Sequence, residues 1–245
     1  VAAEVDLDGL LAVAGDSPIR HAPASPPAVV ASDRVRIGIA RDTAFGFYYP
    51  DDLIALEHAG AELVTVNTLS DTALPEVDGL FIGGGFPETQ MHSLAANVAM
   101  RRQIRSAIEA GLPAYAECGG LMYLCRSLQW QEQQHEMVGV IPADCVMHRR
   151  PQGRGYVKLR ETPDMPWGSP APAGEIAAHE FHYSALENIS EPLHYAYDVV
   201  RGTGVDGARD GIIINNLLAS YTHMRDTRQH RWARRFVDFV RHCRR

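Results

Sequence analysis

Residues 113–122 read Pro-Ala-Tyr-Ala-Glu-Cys-Gly-Gly-Leu-Met, and this stretch limits the fold more than any other. Its first residues, 113–116, predict a short buried strand, and residues 121–128 predict an apolar helix. Joining the two through a cysteine and two glycines requires a sharp turn, which a residue without Cβ permits. A strand that bends so abruptly into a helix lifts the residue at the bend to the carboxyl edge of a sheet, where open α/β folds place their sites. At a helix N-terminus a thiolate also meets unpaired backbone N–H groups and the positive end of the helix dipole, which favour the charged form. Cys118 is therefore the candidate nucleophile, with a buried inert thiol as the competing reading. Cys125, further along the predicted helix, reads as core.

The remaining sequence supplies the sheet such an elbow needs. Strands are expected at residues 35–40, 63–66 and 78–82, alternating with helices at 51–59 and 88–110, the second closed by Gly111. That alternation is the mark of parallel strands joined by crossover helices. Asp51 or Asp52 stands where a carboxylate satisfies the first free amides of its helix. Later strands are expected at 155–159, 175–178, 195–200, 211–215 and 218–220, with a terminal helix from about residue 229. Ahead of the sheet, Val5, Leu7, Leu10, Leu11 and Val13 are spaced like the end of an amphipathic helix. A run rich in proline and alanine from His21 then suits an interdomain linker. Residues 1–32 are thus expected to be the tail of a preceding domain plus a linker, and residues 33–245 a single domain.

Composition removes several function classes. With 245 residues, 46% of them hydrophobic, the chain buries a full core. No apolar run approaches the roughly 18 residues of a membrane span, and no secretory signal pattern opens it, so a cytoplasmic location is expected. A net charge of −7 disfavours nonspecific attraction to nucleic acid. The arginine-rich stretch 231–245 reads as the solvated face of a last helix. Four cysteines without a Cys-x-x-Cys pair predict reduced thiols and no metal site. No phosphate-binding Gly-x-x-x-x-Gly-Lys-Ser/Thr occurs, so no nucleotide site is expected within the chain.

A cysteine nucleophile needs a base and donors for the developing oxyanion. Residues 218–223, Leu-Ala-Ser-Tyr-Thr-His, form a strand running off the sheet edge into His223, the candidate base; a histidine in a surface loop would read the same way. Gly83, Gly84 and Gly85 follow another strand and can present backbone N–H groups, although a plain turn or a phosphate loop has the same composition. His179 and His182 flank Glu180 and Phe181, a spacing that fits a structural or docking role better than a zinc helix.

Four segments occur together and in order: Gly-Gly-Gly-Phe-Pro-Glu at 83–88, Ala-Glu-Cys-Gly-Gly-Leu-Met-Tyr-Leu at 116–124, His-Glu-Phe-His-Tyr-Ser at 179–184 and Ser-Tyr-Thr-His at 220–223. Together they resemble the C-terminal glutaminase domain of the cobyrinic (hydrogenobyrinic) acid a,c-diamide synthases, in the cobalamin branch of the class I glutamine amidotransferases. The resemblance covers residues 35–245, and the leader from Val5 to Leu11 is similar to the last helix of that family's ATP-binding domain. It implies an α/β, flavodoxin-like three-layer sandwich with a mostly parallel central sheet. It further implies that Cys118 attacks glutamine with His223 as base, and that N–H groups near Gly84 or Gly85 and of Gly119 stabilise the oxyanion. Arg150, an ordinary surface arginine on the competing reading, and Glu88 are the residues it offers for glutamine itself.

The partners implied are glutamine, an ATP- and Mg²⁺-dependent synthetase domain that receives the ammonia, and a corrin-type tetrapyrrole acceptor, with a homodimer as a further option. Relatives serving cobyric acid, nickel sirohydrochlorin or cell-wall lipid precursors share the glutaminase. A cysteine hydrolase is the nearest rival enzyme, and a noncatalytic binding domain would be expected to have lost Cys118 or His223. One departure stands out: where class I members carry a glutamate two residues after the histidine, this chain has Arg225. Either Cys118 and His223 act as a dyad, or a carboxylate such as Glu180 or Asp226 orients the base.

Overall fold

The alternation of apolar residues along the short strands decides the architecture, because successive side chains point to opposite faces and both faces here are apolar. In the strands over residues 79–82 and 114–117 of the computed structural model, Leu80, Ile82, Ala114 and Ala116 face one core while Phe81 and Tyr115 face another. The structure describes residues 5–16, 34–168 and 174–244, so the expected linker and boundary near residue 33 lie outside the described residues.

In chain order the elements are α1 (Leu7–Gly15), β1 (Val35–Ala40), β2 (Phe45–Phe47), α2 (Pro50–His58), β3 (Ala61–Val66), β4 (Gly79–Ile82) and β5 (Gly84–Gly85). A 3₁₀ turn (Pro87–Gln90) leads to α3 (Met91–Ala96), α4 (Val98–Glu109), β6 (Ala114–Glu117) and α5 (Gly119–Leu124). Next come β7 (Cys125–Trp130), β8 (Gln133–Glu136), β9 (Ile141–Met147), β10 (Gly153–Glu161) and β11 (Ile176–His182). The chain continues with β12 (Ser184–Glu187), β13 (His194–Arg201), β14 (Arg209–Ile214), β15 (Leu217–Ser220) and α6 (Trp232–Cys243).

Nine strands form the central sheet in the order β11-β10-β13-β14-β15-β6-β4-β1-β3. The half from β15 to β3 is parallel, and the half from β11 to β15 is an antiparallel ladder. On one face α3, α4, α5 and a four-stranded sheet, β12-β9-β7-β8, close over Leu94, Ile104, Leu121 and Tyr123. On the other, α2 and α6 cover Ile37, Phe81 and Tyr115 with Leu56, Trp232 and Phe236. The last helix is amphipathic, burying Trp232, Phe236 and Val240, with Arg234 among its exposed residues. The α/β three-layer expectation is met.

Two predicted helices are shorter than expected. The stretch 88–110 breaks at Asn97, whose side chain caps α4 by accepting from Met100 N and donates to Thr68 O and Asp71 O. The helix expected over 121–128 ends at Leu124, because Cys125 turns extended and begins β7. A short apolar run reads alike as buried helix and buried strand. Here pairing with β9 selects strand, and Arg126 on β7 meets Asp144 on β9 at 2.9 Å. Cys125 is buried core, and all four cysteines are free thiols.

Candidate active site

The elbow forms as the glycines require. Cys118 takes φ +46°, the left-handed region that non-glycine residues rarely occupy, between the end of β6 and the start of α5. Its N–H donates to Ser220 O at 2.7 Å, tying the bend to β15, and its carbonyl starts α5 by accepting from Met122 N. An ideal Cβ on Gly120 would stand 2.1 Å from Ile82 O, and one on Gly119 would stand 2.9 Å from Gly85 N. Only glycines let α5 sit this close to the strand ends.

The parallel pairing of β15 with β6, with Ser220 opposite Glu117, carries the chain onward so that His223 lies over the elbow. His223 Nδ1 lies 3.3 Å from Glu117 Oε2, and both side chains are buried. The other oxygen, Oε1, accepts from Tyr115 Oη at 2.6 Å and from Met224 N at 3.1 Å. With Nδ1 engaged, Nε2 is the ring nitrogen left for the thiol. Burial alone would lower the His223 pKa; hydrogen bonding and electrostatic interaction with Cys118 and Glu117 outweigh it and push the group up to about 10. The site therefore favours the imidazolium form of His223 at neutral pH.

A carboxylate does contact His223, and it is neither of those named from sequence. Glu180 accepts from Thr203 N and Gly204 N and pairs with His182, while Asp226 accepts from Ala233 N at the start of α6. The sequence signal for Glu117 is weak, a lone acidic residue closing an apolar strand directly before Cys118. Arg225 turns away from the elbow, lying over the Tyr49 ring and against Asp51.

The triple glycine packs against the same centre. A Cβ on Gly84 would stand 2.6 Å from His223 Cε1, and one on Gly85 would meet Ala44 O at 1.9 Å. Glu88 lies in the turn after Pro87, half-buried, and burial raises its pKa. Arg150 is exposed in the bend between β9 and β10, its carbonyl accepting from Gln152 Nε2, and no side-chain contact among the described residues joins it to Cys118 or His223. His182 Nδ1 donates to Ser184 O at 2.8 Å and its ring stacks on Tyr221, so it serves the core. Among the described residues no group of three His, Cys, Asp or Glu could hold a metal ion, and no helix is long and apolar enough to cross a membrane.

This arrangement joins a strained cysteine, a charged histidine and a carboxylate in a sheet edge rimmed by glycine backbone. Residues 36–229 match the model of the CobB/CobQ-like glutamine amidotransferase domain. The chain belongs to that family. It is 46% identical over 235 residues to cobyrinate a,c-diamide synthase of Magnetococcus marinus, covering 94% of this chain and 50% of that protein. Against the Archaeoglobus fulgidus protein of the same name it is 44% identical, covering 83% of this chain and 43% of the other. The chain therefore spans about half the length of the curated relatives it matches. Among solved structures, PurLQS of Thermotoga maritima aligns with a TM-score of 0.63 at 16% identity, over 84% of this chain and 97% of that one. A protein described as a glutamine amidotransferase aligns at 0.60 and 17% identity, over 83% and 98%. At these identities the structural matches establish the fold, and they agree with the sequence family on it.

Proposed function

We propose that this chain is the glutaminase half of an ATP-dependent amidotransferase, with Cys118 as nucleophile, His223 as acid and base, and Glu117 orienting the base. The observation that carries the reading is the buried Glu117–His223 contact beside a cysteine held at positive φ. The Cys118 thiolate attacks the carboxamide carbon of glutamine, forming a C–S bond. The oxygen takes up negative charge against N–H groups of Gly119 and of Gly84 or Gly85. The C–N bond then breaks as the His223 imidazolium protonates the leaving nitrogen, releasing ammonia and a glutamyl thioester. Water, giving its proton to the now neutral His223, attacks the thioester; the C–S bond breaks and glutamate leaves. Glu117 keeps Nδ1 protonated and Nε2 directed at the chemistry throughout. Glu88 and Arg150 are the proposed contacts to the rest of the glutamine molecule.

The names of the relatives support amidation of the a and c carboxylates of cobyrinic acid as the use of that ammonia, with ATP and Mg²⁺ bound in the half that those longer proteins contain beyond this chain. Helix α1, which exposes Leu7, Leu10 and Leu11 and buries no residue, supports assigning residues 1–32 to that half. The test is glutamate release from glutamine by the chain and its Cys118→Ala variant, each with and without the ATP-binding half of a relative. Release that vanishes with Cys118 is expected. No release with the partner half, ATP and acceptor all present would overturn the reading.

A further inference from the structure

The chemistry above uses the two ring nitrogens of His223 and leaves the contacts on its faces unexplained. A histidine ring turns about a broad terminal torsion, so a rotamer alone does not fix its plane. In this structure three groups surround the ring. Glu117 holds Nδ1, Phe47 sets its edge against the ring at 5.1 Å and 72°, and the His179 imidazole stacks on it at 5.0 Å and 18°.

His179 is itself held. Its backbone pairs with His223 in both directions, with His179 N donating to His223 O and His223 N to His179 O at 3.2 and 2.8 Å. Its Nε2 lies 3.2 Å from Tyr49 Oη, and the Arg225 guanidinium lies over the Tyr49 ring at 3.9 Å. Two residues along the same strand, Phe181 O lies 3.9 Å from Cys118 Sγ. One edge strand, β11, therefore touches both the nucleophile and the base. We infer that His179 is a positioning residue for the reaction: its ring is the wall that fixes the plane of His223 between Glu117 and Cys118.

The surroundings also favour the neutral form of His179. Half-burial, the His223 charge and Arg225 hold its pKa down, against the opposing effect of Glu117. A neutral ring face stacks on an imidazolium without repulsion and offers it favourable π contact. The charged or titratable groups around His223 are Glu117 and Cys118 from β6 and the elbow, and His179 from β11, with Tyr49 and Arg225 behind it.

This inference rests on His223 being the base, and it is read without substrate, so an absence of glutamine turnover would leave it testable. In the full chain carrying ¹⁵N-labelled histidine, the His223 ring titration is followed by NMR for the parent, His179→Ala and His179→Phe, with thermal denaturation to confirm folding. The phenylalanine keeps a flat ring and loses the Tyr49 hydrogen bond. Expected is a midpoint that stays near 10 in His179→Phe and falls by about one unit or more in His179→Ala, as the ring swings off Glu117 and Cys118. Misorientation of the same ring should lower the rate of glutamate release at neutral pH about tenfold in the alanine variant through kcat, with KM little changed. Should the alanine variant not fold, His179→Leu, which keeps bulk without a flat face, replaces it. A midpoint unmoved by loss of the ring overturns the inference, as does a phenylalanine variant shifted as far as alanine, since either outcome denies that a flat ring is what holds His223.

Discussion

Two buried histidine–carboxylate pairs lie close together in this fold, Glu117 with His223 at 3.3 Å and Glu180 with His182 at 3.7 Å. In burial and composition they are nearly the same, and their surroundings separate them. Glu180 is saturated by the N–H groups of Thr203 and Gly204, and His182 is stacked on Tyr221 with Nδ1 spent on Ser184 O. Glu117 leaves one oxygen for His223, which also interacts with Cys118, the residue of the elbow held at positive φ. A buried histidine–carboxylate pair is therefore no mark of a site by itself; such a pair beside a strained cysteine is.

The sharpest way to break that distinction is to remove each histidine. His223→Ala should lower kcat for glutamate release by about 10³-fold, the scale of a lost acid–base catalyst. His182→Ala should leave the folded enzyme's kcat nearly intact and lower stability by about 2 kcal/mol, the cost of emptying a packed polar site. Steady-state glutamate release and urea unfolding on the same preparations decide it. Equal losses of kcat at equal folded fractions would erase the difference between the pairs.

Glu117→Gln should cost less, about 10²-fold in kcat, because the amide fills the same space but no longer favours the imidazolium. The pH profile gives the sharper readout. A histidine whose folded pKa is raised from 6.5 to about 10 adds stability that is fully present below pH 6.5 and is lost as pH rises through 10. The parent should therefore lose stability between those limits, and Glu117→Gln should show a weaker slope there, with the basic limb of activity displaced to lower pH. An unchanged slope and limb would show that Glu117 does not set the charge on His223. Gly84→Ala is expected to be milder again, about tenfold in kcat, since its Cβ would push on His223 Cε1 from 2.6 Å away. Normal turnover in that variant would mean the ring has room to shift without consequence.

The same contrast explains what could be read in the sequence. The elbow is local: strand, nucleophile and glycines are consecutive, so Cys118, Gly119 and the parallel strands around them were legible from spacing alone. Glu117 was hidden in plain view, because its partner lies 106 residues away and only the register of β15 on β6 brings them together. Arg225 shows the converse, a residue conspicuous in sequence that the fold spends on Tyr49 and Asp51. The second sheet, β7 to β9 with β12, was missed because the short run 125–130 has no periodicity that distinguishes helix from strand until its neighbours are placed.

Glu180→Gln tests the structural pair on its own terms, and its effect should be the smallest on catalysis. Burial works to raise the Glu180 pKa, yet the His182 ring and the amides of Gly204 and Thr203 outweigh it and leave the carboxyl below its usual value. A carboxylate depressed in the folded state adds stability above the unfolded pKa and loses it as pH falls through the folded one. At pH 7 the variant should be less stable by about 1–3 kcal/mol, since two backbone donors and a histidine lose their anion. That deficit should shrink as pH drops below 4.5, where the unfolded parent begins to bind a proton that the folded carboxylate still resists. A deficit that stays constant with pH would trace the loss to packing, and the pair would then hold β11 in place by shape alone. Since β11 also carries His179, a pH-dependent deficit at Glu180 with unaltered kcat would show that the Glu180–His182 pair anchors the strand without taking part in turnover.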